Sequence, residues 1–361
     1  MSEPVPVDAL VDITDDRALL RPHGWAPSPD DLPLARGETR RLRLRRGDRV
    51  TGFRFPDRTL QLTSVNNRPP GPRPDFYQAT SVHPHERLRL ETDPHRLTTR
   101  VIDLLMPIGK GQRAIIAAPP KAGKTTILHD IAGAITHNHP DCHLMVLLVD
   151  ERPEEVTDMR RTIKGEVVAS PFDRPPHEHI AVAELAAERA KRLAEQGEDV
   201  ILLLDSLTRL ARAYNLVAPP RGRTLSGGLD TGALHPPKRL LGAARALDGG
   251  GSVTIIASAL VETGSAMDNL IFEELKSTGN ADLKLDRTLA DARVFPAVDV
   301  AASGTRHDEA LLHPAELPLV TQLRRALTST NPRDAMPGFL RRLHSSTSNA
   351  AFLQTLSRYG Q

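Results

Sequence analysis

From about residue 100 onward, short apolar runs alternate with stretches whose apolar positions recur at helical spacing. Four of the apolar runs predict buried strands, at residues 114–117, 144–149, 200–204 and 253–257. One amphipathic helix is predicted from the spacing of Val182, Leu185, Ala186, Ala190 and Leu193. Continuous apolar strands separated by helices are typical of a sheet that is covered on both faces. The pattern therefore predicts an α/β fold with a mainly parallel sheet.

Residues 1–95 show a different pattern. Leucines and arginines alternate over residues 41–45, which predicts a strand with one apolar face. Gly47 and Asp48 then form a predicted turn, and Val50 and Phe53 continue into a second strand. We expect a small β domain with its connector at 1–95, an α/β domain at 96–312 and a helical segment at 313–361.

Composition narrows the class of protein. The 361 residues are 39% hydrophobic, carry a formal net charge of +2 and include one cysteine, Cys142, so an internal disulfide is impossible. This suits a reducing cytosol. The N-terminus lacks a basic segment followed by an apolar run, and the apolar runs are far shorter than the ~20 residues of a membrane helix. We expect a cytoplasmic protein without membrane contacts.

The segment 113–126 has the order strand, loop, helix. A loop from Ala118 to Gly123 leads into Lys124 and Thr125, which open the predicted helix. Such a loop points backbone N–H groups at phosphate oxygens, and the helix start adds the positive end of its dipole. Lys124 can reach the β- and γ-phosphates, and the Thr125 hydroxyl can coordinate Mg²⁺. Ala118 stands where the usual motif has glycine, and a helix start without a ligand is the alternative interpretation.

Acidic residues follow two of the predicted strands. Asp205 comes directly after residues 200–204, and Asp150 and Glu151 come after residues 144–149. Ligands of open α/β sheets bind at the carboxyl ends of the strands. We assign Asp205 to Mg²⁺ through water and Glu151 to the general base that orients water. Solvated strand ends are the alternative.

Several longer blocks resemble the Rho family of transcription termination factors. They are APPKAGKT at 118–125, LLVDERPEEVTDM at 147–159, DSLTRLARAYN at 205–215, RVFPA at 293–297 and SGTR at 303–306. The resemblance is dense over about residues 100–312 and weaker elsewhere. It implies a RecA-like P-loop ATPase core preceded by a small OB-like β-barrel. It also implies a ring-shaped homohexamer that uses ATP and Mg²⁺, acts on pyrimidine-rich single-stranded RNA and meets RNA polymerase and elongation factors.

The resemblance also implies roles for individual residues. Glu151, Lys124 and Asp205 would be catalytic. Arg306 would be an arginine finger that reaches the neighbouring subunit's γ-phosphate, with Arg293 nearby; a surface arginine is the alternative for Arg306. The residues implied to surround the nucleotide are Gly109, Lys110, Gly111, Gln112, Arg113, Ala114, Lys121, Ala122, Gly123, Lys124, Thr125, Thr126 and Arg152.

Two pore loops would contact RNA, at residues 219–230 and 262–267. Arg221, Arg223, Thr224 and Ser265 are the implied contacts within them. Rho proteins carry a lysine where this chain has Ala266, so one cation per subunit is missing. Each lost phosphate contact lowers the magnitude of the slope of log K against log salt concentration, for single-strand binding, by about 0.7.

The barrel also departs from the family pattern. Residues 16–21 stand where Rho proteins carry a Gly-Phe-Gly-Phe-Leu-Arg strand, so the aromatic rings that stack on bases are absent. Arg21 and Trp25 remain as predicted RNA contacts, with packing inside the protein as the alternative for Trp25. Arginines 40, 41, 43, 45, 46 and 49 predict a basic face that binds phosphates, or else a solvated strand face.

Three functions follow from these observations. The first is an ATP-dependent homohexameric RNA translocase that terminates transcription. The second is a Rho paralogue that binds ATP and forms rings but is weakened in RNA coupling, and that regulates or protects a standard Rho. The third is an ATPase acting on DNA or protein, similar to the rotary ATP synthase catalytic subunit; the segment 219–230 and the arginine-rich barrel argue against it.

Overall fold

The computed structural model describes residues 3–15, 17–218 and 224–359. Its strands are β1 (Val5–Ile13), β2 (Ala18–Arg21), β3 (Leu32–Pro33), β4 (Arg49–Arg54), β5 (Leu60–Val65), β6 (Ser81–Val82), β7 (Arg87–Leu88), β8 (Ile108–Gly109), β9 (Arg113–Ala118), β10 (His143–Glu151), β11 (Glu166–Pro171), β12 (Asp199–Asp205), β13 (Thr224–Leu225), β14 (Leu229–Asp230), β15 (Arg245–Leu247), β16 (Ser252–Leu260), β17 (Ala281–Lys284) and β18 (Gly304–Thr305).

The α-helices alternate with these strands in the second part of the chain and end it. They are α1 (Arg36–Arg41), α2 (Leu97–Leu105), α3 (Lys124–Asn138), α4 (Pro153–Thr162), α5 (Pro176–Ala194), α6 (Leu207–Val217), α7 (His235–Leu241), α8 (Ala266–Lys276), α9 (Arg287–Asp291), α10 (Leu317–Thr328), α11 (Pro332–His344) and α12 (Asn349–Tyr359). Within the described ranges, no helix is both long enough and apolar enough for a membrane span.

The N-terminal sheet has five antiparallel strands in the order β3-β2-β1-β4-β5. The helix α1 lies between β3 and β4. A small five-stranded, partly open barrel of this kind is the architecture of OB folds. The β domain predicted from the sequence is thus consistent with the structure.

The strand predicted at residues 41–45 is wrong. Residues up to Arg41 are helical, and Arg43 then takes a left-handed φ of 52°. Leu42 and Leu44 are both buried, as the alternation indicated. Their common orientation comes from the end of a helix and a turn rather than from a pleated strand, a distinction that a five-residue pattern does not make.

The main sheet follows the order β11-β10-β12-β16-β9-β17-β18. The first six of these strands are parallel, and β18 is antiparallel to β17. All four strands predicted from apolar runs are present, as parts of β9, β10, β12 and β16. The parallel order places the carboxyl ends of β9, β10 and β12 at one edge, which we call the carboxyl edge; the other is the amino edge.

Helices cover both faces of this sheet. On one face, which we call the α3 face, Ile116, Leu148 and Leu203 pack with α3 and with the C-terminal helices α10 to α12. On the other, the α5 face, Ile115, Val149 and Leu204 pack with α5 and α6. The amphipathic helix predicted from Val182 to Leu193 lies within α5. Because strand side chains alternate between faces, near-continuous apolar strands serve both cores.

The N-terminal sheet docks on α5 through ion pairs. Arg45 pairs with Glu195 at 2.6 Å and Arg46 pairs with Glu184 at 2.7 Å. Gly47 lies so close that a Cβ there would be 2.5 Å from the backbone nitrogen of Arg189. The domain boundaries themselves stay a prediction.

Candidate active site

The phosphate-type loop lies at the carboxyl edge, where β9 ends. Gly123 precedes α3 with a left-handed φ of 92°, and a Cβ there would meet the ring of Phe295 at 3.6 Å. Lys121 also has a left-handed φ, of 64°, and is exposed, whereas Ala122 is buried. Thr125 is half-buried and Thr126 is exposed at the start of the helix. The loop therefore presents the first backbone N–H groups of α3 to the carboxyl edge.

Three predicted catalytic side chains meet beside this loop. Lys124 Nζ lies 2.5 Å from Asp205 Oδ1 and 3.5 Å from Glu151 Oε1. Both carboxylates are buried, with 2% and 3% of Asp205 and Glu151 exposed. The strands β10 and β12 are neighbours, so their ends place the two acids side by side.

The side chains of Lys124, Glu151 and Asp205 bring charges together in a buried place. Burial raises the pKa of Glu151, Lys124 opposes that shift, and Asp205 adds to it. Glu151 Oε2 is buried without a hydrogen-bond partner among the described residues, although Arg209 Nη1 lies 3.0 Å away. An acceptor of this kind is left for a water molecule or another donor. The cluster thus fits a site that receives a phosphate, a cation and a water.

Sequence reasoning gave no role to three residues of this site. Arg209 faces Glu151 from the first turn of α6, and Ser258 donates to Asp205 Oδ1 at 2.8 Å. Phe295 is 44% exposed and borders a cavity of about 380 Å³ with Leu97 and Leu340. Arg209 and Phe295 do belong to the sequence blocks that carry the family resemblance, which was the available signal.

Arg293 and Arg306 lie at opposite edges of the sheet. Arg293 lines the same cavity as Phe295, beside the loop, and Arg152 is exposed at the start of α4. The backbone N–H of Arg306 donates to Asn280 O, and Asn280 Oδ1 accepts from the N–H of Arg113 at the amino edge. The six residues of β9 separate the two edges by about 20 Å, at about 3.3 Å per residue. Within one chain, Arg293 is therefore not near Arg306.

The run Gly109, Lys110, Gly111, Gln112, Arg113 and Ala114 also lies at the amino edge, because it leads into β9. Within one chain, β9 separates this run from the phosphate-type loop, and its place around the nucleotide stays a prediction. Lys110 pairs with Glu86 and, at 2.7 Å, with Asp199. Gln112 bonds to Asn280, and Gly111 allows a close approach to Ala246.

Arg21 and Trp25 both have partners within the protein. Arg21 is 3% exposed, its Nε donates to Asp12 Oδ2 at 3.0 Å, and its Nη1 lies 2.9 Å from Asp31. Trp25 is half-buried and packs against the core of the α5 face. Burial and these partners argue against RNA contact at Arg21 and Trp25, which stays a prediction, because a sequence shows charge and aromaticity but not burial.

The predicted basic face is largely neutralised. Arg41 pairs with Glu38, Arg45 with Glu195, Arg46 with Asp12 and Glu184, and Arg49 with Asp8.

A cleft of about 810 Å³ instead opens on the barrel. Arg54, Phe55 and Arg58 line it, together with His23 and Asp31. The sequence patterns did not single out these residues.

The two predicted pore segments come together. A Cβ at Gly227, whose φ is 77°, would lie 2.6 Å from the backbone nitrogen of Met267. Ser265 caps α8 by accepting from the N–H of Asp268, and Ala266 is exposed as the first helical residue. Arg221 and Arg223 lie outside the described residues, and for Thr224 the structure describes only the backbone, at the start of β13.

Comparisons with known proteins agree with this geometry. Residues 98–305 match the model of the ATP synthase alpha/beta family, nucleotide-binding domain. A solved ATPase from the type III secretion system of pathogenic bacteria has a TM-score of 0.62 and 25% identity, and the match covers 72% of this chain and 82% of that one. The RecA-like P-loop ATPase fold is thereby confirmed.

Two relatives with a higher sequence identity to this chain are both named transcription termination factor Rho. The transcription termination factor Rho of Streptosporangium roseum is 57% identical over 96% of this chain and 91% of its own length. The Rho factor of Mycobacterium bovis is 56% identical over 98% of this chain, which spans only 61% of that protein's length. Together with the loop and the acidic strand ends, this similarity shows that the chain belongs to the Rho family of transcription termination factors.

Proposed function

We propose that the chain is an ATP-driven RNA translocase that works as a homohexamer and terminates transcription in the cytoplasm. The observation that carries the proposal is the meeting of Lys124, Glu151 and Asp205 beside a loop that exposes the N–H groups of α3. The names of the relatives support the termination role. Contacts with RNA polymerase and its elongation factors are part of the same proposal.

Each residue has a chemical task in this proposal. Lys124 exchanges its ion pair with Asp205 for the phosphates, and Thr125 and Asp205, the latter through water, would hold magnesium. Magnesium, when bound, neutralises charge on the β- and γ-oxygens. Glu151 orients a water molecule and accepts its proton, a task that suits a buried carboxylate with a raised pKa. The nucleotide base would enter the cavity that Phe295 borders.

The site is completed by a second subunit in this proposal. Arg306 is exposed at the amino edge, about one strand length from its own loop. It therefore serves a neighbour's loop rather than its own. An arginine finger supplied in trans contributes about 10³–10⁵ to the rate of phosphoryl transfer.

RNA contacts are proposed at the paired pore segments and in the cleft of the barrel. The close approach of Gly227 to Met267 joins the two segments into one surface. In the barrel, Arg54 and Arg58 offer positive charges and Phe55 offers a ring, in a cleft that Asp8, Asp30 and Asp31 also line. Positively charged grooves with aromatic platforms are the usual means of binding single strands.

The test is ATP hydrolysis with and without poly(C) at two salt concentrations. We expect strong stimulation by RNA, and loss of turnover in Lys124→Ala and Glu151→Ala. Lys164→Ala removes an exposed lysine at the amino edge and serves as the matched control. Turnover that survives either site variant would contradict the assigned roles.

One observation favours a second function. Ala266 is exposed at the pore segment, where the family carries a lysine, so RNA coupling loses a cation. A chain of this kind binds ATP and joins rings but regulates or protects a standard Rho. Hydrolysis that is indifferent to RNA in the test above would favour this second function.

A further inference from the structure

The strand β10 ends in a β-bulge at Asp150. In the pairing with β11, Val149 lies opposite Ser170 and Glu151 lies opposite Pro171, so Asp150 is the extra residue. Its φ of 56° lies in the left-handed region. Residues other than glycine are uncommon in this region, and the surrounding structure must hold them in place.

The bulge decides which way Glu151 points. Successive strand residues point to opposite faces. Leu148 belongs to the α3 face and Val149 to the α5 face. In a regular strand, Glu151 would follow Val149 to the α5 face, away from Lys124. The inserted residue reverses this, and Glu151 Oε1 lies 3.5 Å from Lys124 Nζ.

A buried histidine from α5 contacts both strands at this bulge. His179 is 4% exposed, and its Nδ1 lies 2.7 Å from Ser170 Oγ. Its Nε2 lies 3.9 Å from Asp150 Oδ1. Burial lowers the pKa of His179, which favours the neutral ring. A neutral imidazole accepts at one nitrogen and donates at the other, so it can engage Ser170 and face Asp150 together.

We propose that His179 is a positioning residue: with Ser170, it holds the bulge at Asp150 in the conformation that turns Glu151 toward Lys124. The inference rests on the proposed function, in which Glu151 orients the attacking water. His179 lies on the α5 face, on the other side of the sheet from α3, and acts only through β10 and β11. A residue that only fills the core would change stability without a selective effect on kcat.

The experiment compares His179→Ala, His179→Asn, Ser170→Ala and the double alanine variant in RNA-stimulated ATP hydrolysis. We expect His179→Ala to lower kcat at least about tenfold, because displacement of a catalytic group by about 1 Å costs up to about 10²-fold. KM for ATP should change less than about threefold, since Lys124 and the loop are untouched. His179→Asn keeps a group that can bond Ser170 and should recover most of kcat.

Ser170→Ala and the control complete the test. Ser170→Ala removes one hydroxyl and should lower kcat in the same direction. The double variant should be no slower than His179→Ala, because both changes break one contact. His177→Ala alters an exposed histidine in the same helical turn and should match the wild type.

The possible failures are distinguishable. An active wild type with unchanged kcat in His179→Ala, or a rise in KM alone, overturns the positioning role. If His179→Ala does not fold, unchanged kcat in Ser170→Ala overturns it. A wild type without ATP hydrolysis instead overturns the proposed function and this inference with it.

Discussion

At the scale of single residues, the candidate nucleotide site is a balance of two cations, Lys124 and Arg209, and two buried carboxylates. Lys124 lies within 3.5 Å of both Glu151 and Asp205, so its charge offsets part of their repulsion. The pKa of Glu151 is nonetheless raised, because burial outweighs the opposing charges of Lys124 and Arg209. The protonation of one side chain therefore sets the pH range in which the proposed base works.

The first prediction concerns this pH range. A general base must be deprotonated, so kcat/KM for ATP should fall as pH decreases through the raised pKa of Glu151. The midpoint of this acid limb should lie above 4.5, the ordinary value for glutamate. Circular dichroism over the same range controls for unfolding. A limb at or below 4.5 with the protein still folded contradicts the assignment.

The second prediction separates a structural arginine from an RNA contact. Arg21→Ala should lower the free energy of unfolding by about 3 kcal/mol, because Asp31 loses its ion-pair partner and the buried Asp12 keeps only Arg46. Arg40→Ala, at an exposed position, should stay within about 0.5 kcal/mol. Urea unfolding measures both. Unchanged stability with weaker RNA binding in Arg21→Ala would restore the RNA interpretation.

The acidic residues at the strand ends could be predicted from the sequence, but the direction in which their side chains point could not. The ends of two apolar runs pointed to Asp205 and Glu151, since parallel strands share an edge. The unpredicted part was Asp150, whose left-handed backbone changes the face that Glu151 takes. A bulge depends on tertiary contacts such as those of His179 and leaves no periodic signal.

At the scale of elements, β9 separates the two segments that were predicted to surround the nucleotide. The loop follows its last residue, and residues 109–112 precede its first. The family resemblance implied that both segments surround the nucleotide, but a strand of six residues carries its ends about 20 Å apart. The end of α1 is a place where the sequence pattern misled. Leu42 and Leu44 alternate and are buried, but they follow a helix and do not form a strand.

The third prediction concerns α8 and its first residue. Ala266 is exposed, so Ala266→Lys adds one cation per subunit at the proposed RNA surface without burying a charge. RNA-stimulated ATPase activity should rise, and the salt slope of RNA binding should steepen by about 0.7 per contact. Ala266→Gln, which adds length without charge, is the control. An unchanged slope would mean that this position does not meet phosphate.

At the scale of the whole molecule, ion pairs and hydrogen bonds of arginine side chains connect the barrel to the ATPase core. Arg45, Arg46 and Arg189 link the N-terminal sheet to α5, while Gly47 permits close approach of the backbones. The same α5 carries His179 near its other end. One helix therefore contacts both the barrel and the strands beside the nucleotide site.

The proposed ring follows from the separation of Lys124 and Arg306. A site that needs both must take them from different subunits, since Arg306 lies at the amino edge and Lys124 at the carboxyl edge. Lys124→Ala and Arg306→Ala should each be inactive alone, because each lacks one half of every site.

The most direct measurement mixes these two inactive variants and follows ATP hydrolysis with poly(C). In mixed rings, the intact loop of an Arg306→Ala subunit meets the intact Arg306 of a Lys124→Ala neighbour. The account predicts that mixing restores a substantial fraction of wild-type turnover. If the mixture stays as inactive as its components while both variants still form rings, the claim of a site shared between subunits is contradicted.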